Sequence, residues 1–281
     1  MVNPAQKAES SHTEFTGSIP ETYDTYLGPY LFEFSGYDLA NRVKNRIPED
    51  GKVLEIACGT GISTYYLRQA LPETVSITAT DLNPAMLGFA KSKRGDLANV
   101  TFGEADALSL SFEDNGFDAV ICQFGIMFFP DKAAGLAEMV RVLKPGGMLA
   151  FNVWDSMENN KAVKIAHETI SKFFESDPPQ FLHIPFGFYD IDHIRGLMAK
   201  IQLDNIESHI VSEKSEGFEA SNIAKGAVEG NPGVLEINER ANADAGEITK
   251  AVTEALEAEY GPSPITTELQ EIVFIATKLI G

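Results

Sequence analysis

GKVLEIACGTG, residues Gly51 to Gly61, is an apolar run that ends in an acidic residue and then a glycine turn. Val53, Leu54 and Ile56 read as a strand buried on both faces, as in a parallel sheet. Gly59 and Gly61 allow a tight turn and a close backbone approach to a ligand where a Cβ would clash. Glu55 stands near the strand's carboxyl end, the usual ligand position in an open α/β sheet. Two more acidic residues close the next strand-like segments: Asp81 after Val75-Ser76-Ile77-Thr78-Ala79-Thr80, and Asp106 after Val100-Thr101-Phe102-Gly103-Glu104-Ala105. Three carboxylates at three successive strand ends suit a hydroxyl-rich, cationic or amine-bearing ligand better than a diphosphate. The dinucleotide fingerprint G-x-G-x-x-G is a rival reading, but its third position is Thr64 here.

Outward from that stretch, strand and helix signals alternate, which predicts a parallel sheet with right-handed crossovers. Strands are expected near 52–57, 75–80, 100–102, 117–123 and 147–154, and helices near 61–71, 84–93 and 131–143. Lys144-Pro145-Gly146-Gly147 reads as a helix stop and a turn into the fifth strand. Two later runs, about 203–215 and 268–279, flank a long helical region. Before the sheet, residues 1–18 read as a disordered tail. Residues 19–46 read as a helical cap interrupted at Pro29 and Gly36.

The motifs VLEIACGTG, ITATDLNPAML, VTFGEADALSLSFEDNGFDAVICQFGIMFFPD and EMVRVLKPGGMLAFNVWD follow one another between Gly51 and about Trp154. With these in that order the chain resembles class I S-adenosylmethionine-dependent methyltransferases. Within them it is similar to the small-molecule, ubiquinone/menaquinone-biosynthesis-like group (methyltransferase type 11/25). The resemblance implies a Rossmann-like, seven-stranded, mostly parallel α/β sheet of order 3-2-1-4-5-7-6, with helices on both faces and a helical lid. It divides the chain into the tail (1–18), the cap (19–46), a cofactor-binding core (47–154), a substrate lid (155–200) and a C-terminal part of the sheet with a helical insertion (201–281).

The same resemblance assigns S-adenosyl-L-methionine as cofactor and supplies residue roles. Glu55, Ala57, Cys58, Gly59 and Gly61 surround the methionine portion. Asp81 takes the ribose hydroxyls, since a carboxylate accepts two hydrogen bonds from a diol. Leu82 and Met86 flank adenine, Asp106 accepts its amine and Ala107 offers a backbone amide. Gln123 and Phe124 follow the fourth strand beside the reactive sulfonium. In the family the N-terminal segment closes over the cofactor, and Tyr23 and Tyr26 match tyrosines that face it.

Acceptor identity is expected to rest on the aromatics between Asp155 and Lys200, among them Phe173, Phe174, Phe181, Phe186, Phe188 and Tyr189. With Phe128 and Trp154 these predict an enclosed cavity for a planar ring, an isoprenoid tail or an amine. An aromatic helix pair packed on the core is the competing reading. Chemistry on a sulfonium needs positioning and exclusion of water, and a base only where the nucleophile must lose a proton. Among His12, His167, His183, His193 and His209, His183 is the first choice as base because it sits among the lid aromatics; Tyr26, with Tyr23 and Tyr189, is the alternative for orienting a hydroxyl.

Composition narrows the classes further. Lys and Arg total 22 against 41 Asp and Glu, giving a formal charge of −19. Such a surface repels phosphate backbones, so a nucleic-acid partner is not expected. Two cysteines make no disulfide framework, and both read as reduced packing residues; they are too few for arsenite methylation, which needs three or more thiolates. Gln123-Phe124-Gly125-Ile126 replaces the N-P-P-Y or D-P-P-Y run of amino-methylating enzymes. No compact metal-ligand motif is visible, although scattered carboxylates would suffice for a metal-assisted catechol enzyme. MVNPAQKAESSHTEF contains no apolar run, so neither secretory signal nor span is expected and a cytoplasmic enzyme is the default. The expected protein is thus an enzyme transferring a methyl group to a small acceptor. A non-catalytic cofactor-binding protein, a macromolecule methyltransferase and a nicotinamide oxidoreductase are the rivals.

Overall fold

The computed structural model describes residues 15–280. The expected tail falls outside the described residues up to residue 14. From there on, Phe15 sets its ring edge-on against Tyr23 and Phe181, with centroids 5.9 and 6.2 Å apart.

Contacts divide the chain into two compact units. One comprises the described residues up to Leu31 with Asp155–Gly187 and Ser212–Gln270; the other comprises Phe32–Trp154, Phe188–Val211 and the segment from Glu271 onward. The strands are β1 (Lys52–Ile56), β2 (Ser76–Asp81), β3 (Val100–Glu104), β4 (Phe117–Gln123), β5 (Leu143–Trp154), β6 (Leu203–Phe218) and β7 (Ile265–Lys278). They form one seven-stranded sheet of order β3-β2-β1-β4-β5-β7-β6. β1 to β5 pair in parallel and β7 runs antiparallel to β5. The sheet order is the one the family resemblance implies, and the first four strands lie close to where the alternating pattern places them.

In the second unit, helices α2 (Glu33–Val43), α3 (Ile62–Ala70), α4 (Pro84–Arg94), α5 (Lys132–Val142) and α7 (Ile191–Met198) accompany the sheet. Its core follows the two-residue period of a strand. Val53, Ile77, Ala119, Ile121, Met148, Ala150, Val273 and Ile275 from five strands meet Leu39, Ala40 and Val43 of α2 and Leu67 of α3. In the first unit, α1 (Ile19–Thr22), α6 (Lys161–Ser171), α8 (Ala220–Glu229), α9 (Gly233–Arg240) and α10 (Ala245–Tyr260) supply the helical region expected between the last two strands and more besides. α10 packs on α6 and α8. It opens with a reciprocal cap in which Asp244 accepts from the Glu247 backbone and Glu247 reaches back, satisfying two helix-terminal N–H groups.

Two local expectations are corrected. β5 begins at Leu143, already paired with Phe117, and its next partner pair is Met148 with Ala119. Lys144-Pro145-Gly146-Gly147 therefore bulges out of a strand under way, with Gly146 at φ +79°. Second, Pro29 and Gly36 do not break the N-terminal segment. Between α1 and α2 the chain is a wide π-helical stretch over Tyr23–Phe32 that contains Pro29. Proline brings no N–H to a helix ladder, so the register shift falls where a regular turn would fail. Gly36 lies inside α2, where a Cβ would stand 3.0 Å from Tyr66 Cδ2 and 3.1 Å from Gln123 Oε1. It is a close-packing glycine.

Candidate functional site

At the carboxyl end of β1 the backbone takes three left-handed residues in five: Ala57 (φ +55°), Gly59 (+57°) and Gly61 (+83°). The Cys58 N–H donates to the Thr80 carbonyl at 2.9 Å, tying the turn to β2, and the Gly61 N–H donates to the Cys58 carbonyl at 2.8 Å. Gly61 is the N-cap of α3. Asp81, the last residue of β2, accepts the Gly59 N–H on Oδ2 and the Asn83 N–H on Oδ1, both at 2.8 Å. Asn83 in turn caps α4, its Oδ1 accepting from Ala85 and Met86. Arg94 reaches back from the end of α4 to the Thr60 carbonyl at 2.6 Å. A Cβ on Gly59 would meet only Met86 Cε, at 3.6 Å, so the backbone there is open to a ligand's approach. One carboxylate thus fixes a glycine backbone while each oxygen keeps a second lone pair for a donor from outside.

Glu55 is fully buried, and its carboxyl accepts the Ser63 hydroxyl and, at 2.6 Å, the Thr64 hydroxyl. Both donors belong to the first turn of α3. Thr64 is therefore a working part of the turn, occupying the position where the dinucleotide fingerprint needs glycine. Burial pushes the Glu55 carboxyl up to about 7, against the hydroxyl bonds that lower it. Burial also raises Asp81, the backbone N–H groups of Asn83, Gly59 and Leu82 opposing it. The Cys58 thiol goes well up through burial and the two nearby carboxyls, and the Cys122 thiol is pushed up to about 12. Neither cysteine has the character of a nucleophile.

The end of β4 lies beside this turn, and Phe124, Trp154 and Phe32 there are buried. The Phe124 ring lies flat on Trp154, with centroids 4.1 Å apart and planes within 7°. Phe32 tilts against both, at 5.9 and 6.4 Å. Gln123 donates to the Phe32 carbonyl at 2.9 Å. Phe124 is left-handed at φ +52°, its N–H held by the Asn152 carbonyl and by Asn152 Oδ1. A Cβ on Gly125 would fall 2.4 Å from that of Ala57, so this turn abuts the glycine turn of β1.

The remaining expected residues are more scattered. Met86 and Ala107 are buried, whereas Leu82 is 55% exposed. Asp106 is exposed, with Oδ1 accepting the Leu108 N–H at 2.9 Å. Phe128 ends a short 3-10 turn after Gly125, and Tyr189 is exposed. Tyr23, Tyr26, Phe181, His183 and Phe186 belong to the other unit. There Lys225 Nζ sits 5.7 Å from the centre of the Tyr26 ring, Phe181 and Phe186 are buried, and His183 is exposed with its ring 4.2 Å from that of His167. Burial, and then His183, lower the His167 imidazole. Among the described residues no group of three or more His, Cys, Asp or Glu could hold a metal ion, and no helix is long and apolar enough to cross a membrane. Sequence reasoning missed Ser63, Asn83, Arg94, Asn152 and Glu271. A hydroxyl pair in the first turn after the glycines and an Asn-Pro helix start were the signals for Ser63 and Asn83.

Residues 53–147 match the family model described as a methyltransferase domain. Over 98 residues the chain is 44% identical to demethylmenaquinone methyltransferase of Staphylococcus aureus. That match covers 35% of this chain and 41% of the relative, so the chain aligns with less than half of the relative's length. The fold is similar to that of the YcgJ protein of Bacillus subtilis, at TM-score 0.58 and 18% identity over 88% of this chain and all of that one. It is also similar to phosphoethanolamine N-methyltransferase 2 of Haemonchus contortus, whose structure holds phosphomonomethylethanolamine and S-adenosylhomocysteine. That likeness has TM-score 0.57 and 16% identity, over 94% of this chain and 61% of that one. Residues 53–147 thus carry a sequence likeness to methyltransferases, on a seven-stranded sheet whose order is β3-β2-β1-β4-β5-β7-β6 and whose fold is that of the two solved structures.

Proposed function

We propose that the protein is an S-adenosylmethionine-dependent methyltransferase acting by in-line displacement on a small organic acceptor. The observation that carries the reading is Asp81, which holds the Gly59 backbone open at one oxygen and starts the α4 turn at the other. In this reading Asp81 accepts the ribose hydroxyls, Leu82 and Met86 flank the adenine, Asp106 accepts its amine and Ala107 gives a backbone amide. Glu55, Ala57, Cys58, Gly59 and Gly61 shape the methionine end, where the paired acids Glu55 and Asp81 favour a cationic ligand over a diphosphate. The bound cofactor supplies a methyl group already activated on a sulfonium. The protein's part is to orient the acceptor and exclude water.

Gln123 and Phe124 are assigned beside the reactive sulfonium, and Phe128, Trp154 and Tyr189 to the acceptor side. The flat Phe124–Trp154 stack supports a planar or apolar acceptor, in quinone or natural-product metabolism. The matched demethylmenaquinone methyltransferase points the same way for the cofactor half alone. Roles for Tyr23 and Tyr26 are proposed on the family resemblance, and for Phe181, His183 and Phe186 on their place in the aromatic segment 155–200, with single alanine variants as their test. The net charge of −19 supports a small molecule over a nucleic acid, and a cytoplasmic location is part of the proposal.

Calorimetry with S-adenosylhomocysteine tests the cofactor, and a broad acceptor screen with methyl-labelled S-adenosylmethionine tests transfer. Binding with transfer to a quinone, phenol or amine supports the reading. Binding with no transfer across the screen favours a non-catalytic binding protein, and NAD(P)H binding in place of S-adenosylhomocysteine overturns the assignment.

A further inference from the structure

We propose that Glu271 is a positioning residue of this site: through Asn152 it fixes the left-handed turn at Phe124, and with it the aromatic cluster and the face on which the β1 glycine turn rests. The inference uses the cofactor reading above for one of its two readouts.

Asn152 lies opposite Gln123 of β4, and Glu271 lies opposite Trp154 of β5. Directly paired residues share a face and side chains alternate along a strand, so Gln123, Asn152, Trp154 and Glu271 all point to the same side of the sheet. Asn152 is fully buried and Glu271 is 3% exposed. Asn152 Nδ2 donates to Glu271 Oε2 at 2.6 Å, while Asn152 Oδ1 accepts the Phe124 N–H at 3.1 Å. A carboxamide has one donor end and one acceptor end, and an acceptor on the β7 side leaves only its oxygen for Phe124. Removing that acceptor releases the amide and strands a buried donor.

What the amide holds is an uncommon conformation, since an aromatic residue at φ +52° meets its own carbonyl. The turn carries two consequences for the site. It lays Phe124 on Trp154 at 4.1 Å. It also brings Gly125 so close to the β1 turn that a Cβ would overlap the Ala57 side chain. Burial keeps the Glu271 carboxyl up to about 8, against the Asn152 bond at Oε2, with Asp38 and Arg42 of α2 acting on it. A neutral carboxyl offers Asn152 a carbonyl-type acceptor, which glutamine reproduces.

Trp154 is the only tryptophan in the sequence, so its emission and its quenching by acrylamide report on the stack. The full-length wild type, Glu271→Gln, Glu271→Met and Asn152→Ser are compared by quenching and by calorimetric binding of S-adenosylhomocysteine. Glu271→Gln is expected to match the wild type in both. Glu271→Met and Asn152→Ser are expected to raise quenching and weaken binding about tenfold, and their double variant to be no worse than either alone. The proposal is overturned if Glu271→Met and Asn152→Ser behave as the wild type, or if Glu271→Gln behaves like Glu271→Met. Where circular dichroism shows Glu271→Met unfolded, Asn152→Ser decides. If the wild type itself binds no S-adenosylhomocysteine, the cofactor reading fails and the quenching comparison still decides the relay.

Discussion

Replacement of Asp81 by alanine tests whether its carboxylate reads a ribose diol or merely shapes a loop. Two hydroxyl donors to one carboxylate contribute about 1.5–3 kcal/mol each, hence about 3–6 kcal/mol, or roughly 10²- to 10⁴-fold in Kd. The complication is structural: Asp81 already holds the Gly59 and Asn83 N–H groups at 2.8 Å, so alanine loosens the turn as well. The two contributions separate when the ligand is varied with the protein. Wild type is expected to bind S-adenosylhomocysteine far more tightly than its 2′,3′-dideoxy analogue by calorimetry. Asp81→Ala is expected to bind the two equally, because no carboxylate remains to tell them apart. Asp81→Asn, with one oxygen acceptor left and claimed by a backbone N–H, falls between. A protonated Asp81 accepts less well, so wild-type affinity is expected to weaken on acidification through a pKa that burial has raised above the ordinary carboxylate value. If the wild type binds the dideoxy analogue as tightly as the parent, or Asp81→Ala keeps the wild-type ratio, Asp81 does not read the ribose.

Gly125→Ala places a methyl 2.4 Å from Ala57 Cβ and 2.7 Å from Cys122 Sγ, and such overpacking costs about 1–3 kcal/mol. A lowered urea midpoint together with weaker S-adenosylhomocysteine binding is expected; an unchanged midpoint contradicts the contact between the two turns. Stability is expected to fall as pH rises, opposite in sign to a protein whose acids are ion-paired. Glu55 is raised to about 7 and Glu271 to about 8 from 4.5, so between those values the fold holds protons that the unfolded chain has released. The loss begins above the unfolded value and is complete above the folded one, on the order of 3 kcal/mol for Glu55 and 5 kcal/mol for Glu271. Urea titrations at pH 5 and pH 8 measure it, and Glu55→Gln or Glu271→Gln flattens the difference; equal slopes in variant and wild type refute the assignment.

Much of this architecture is local and so was readable in the sequence. A run such as Val53 to Ile56 is compatible with a strand covered on both faces, and the order of such runs and of the helices between them restricts the topology. Asp81 belongs to the same class, since a strand, an acid and an Asn-Pro helix start stand side by side in the chain. What escaped is non-local or hidden in the backbone. Glu271 looks like a surface charge in ITTELQEIVFIATK until β7 is laid against β5, because its partner Asn152 is 119 residues away. Gly36 reads as a helix breaker, yet its reason for being glycine is a glutamine on another element. Thr64 entered the reading only as a missing glycine. Its hydroxyl is one of the two that keep a buried Glu55 satisfied, and that role depends on where α3 starts after the turn.

The boundary between local and non-local also marks where the match to the methyltransferase family model ends. The stretch that matches the methyltransferase family model runs from residue 53 to residue 147, from β1 into β5, and includes the turns assigned to the cofactor. Trp154, Asn152 and Glu271 lie beyond it, and so does Phe32 before it. The aromatic cluster is therefore assembled from one residue of the matched stretch, Phe124, and from Trp154 and Phe32, which that stretch does not contain. Because a fold of this kind hosts many reactions, the acceptor cannot be inherited with the glycine turn and has to be read from the cluster itself. On the reading proposed above, a flat aromatic stack fixed in a left-handed turn presents an acceptor with shape and polarizability in place of charge. That is the argument for screening planar, weakly polar acceptors ahead of amino acids and phosphorylated amines.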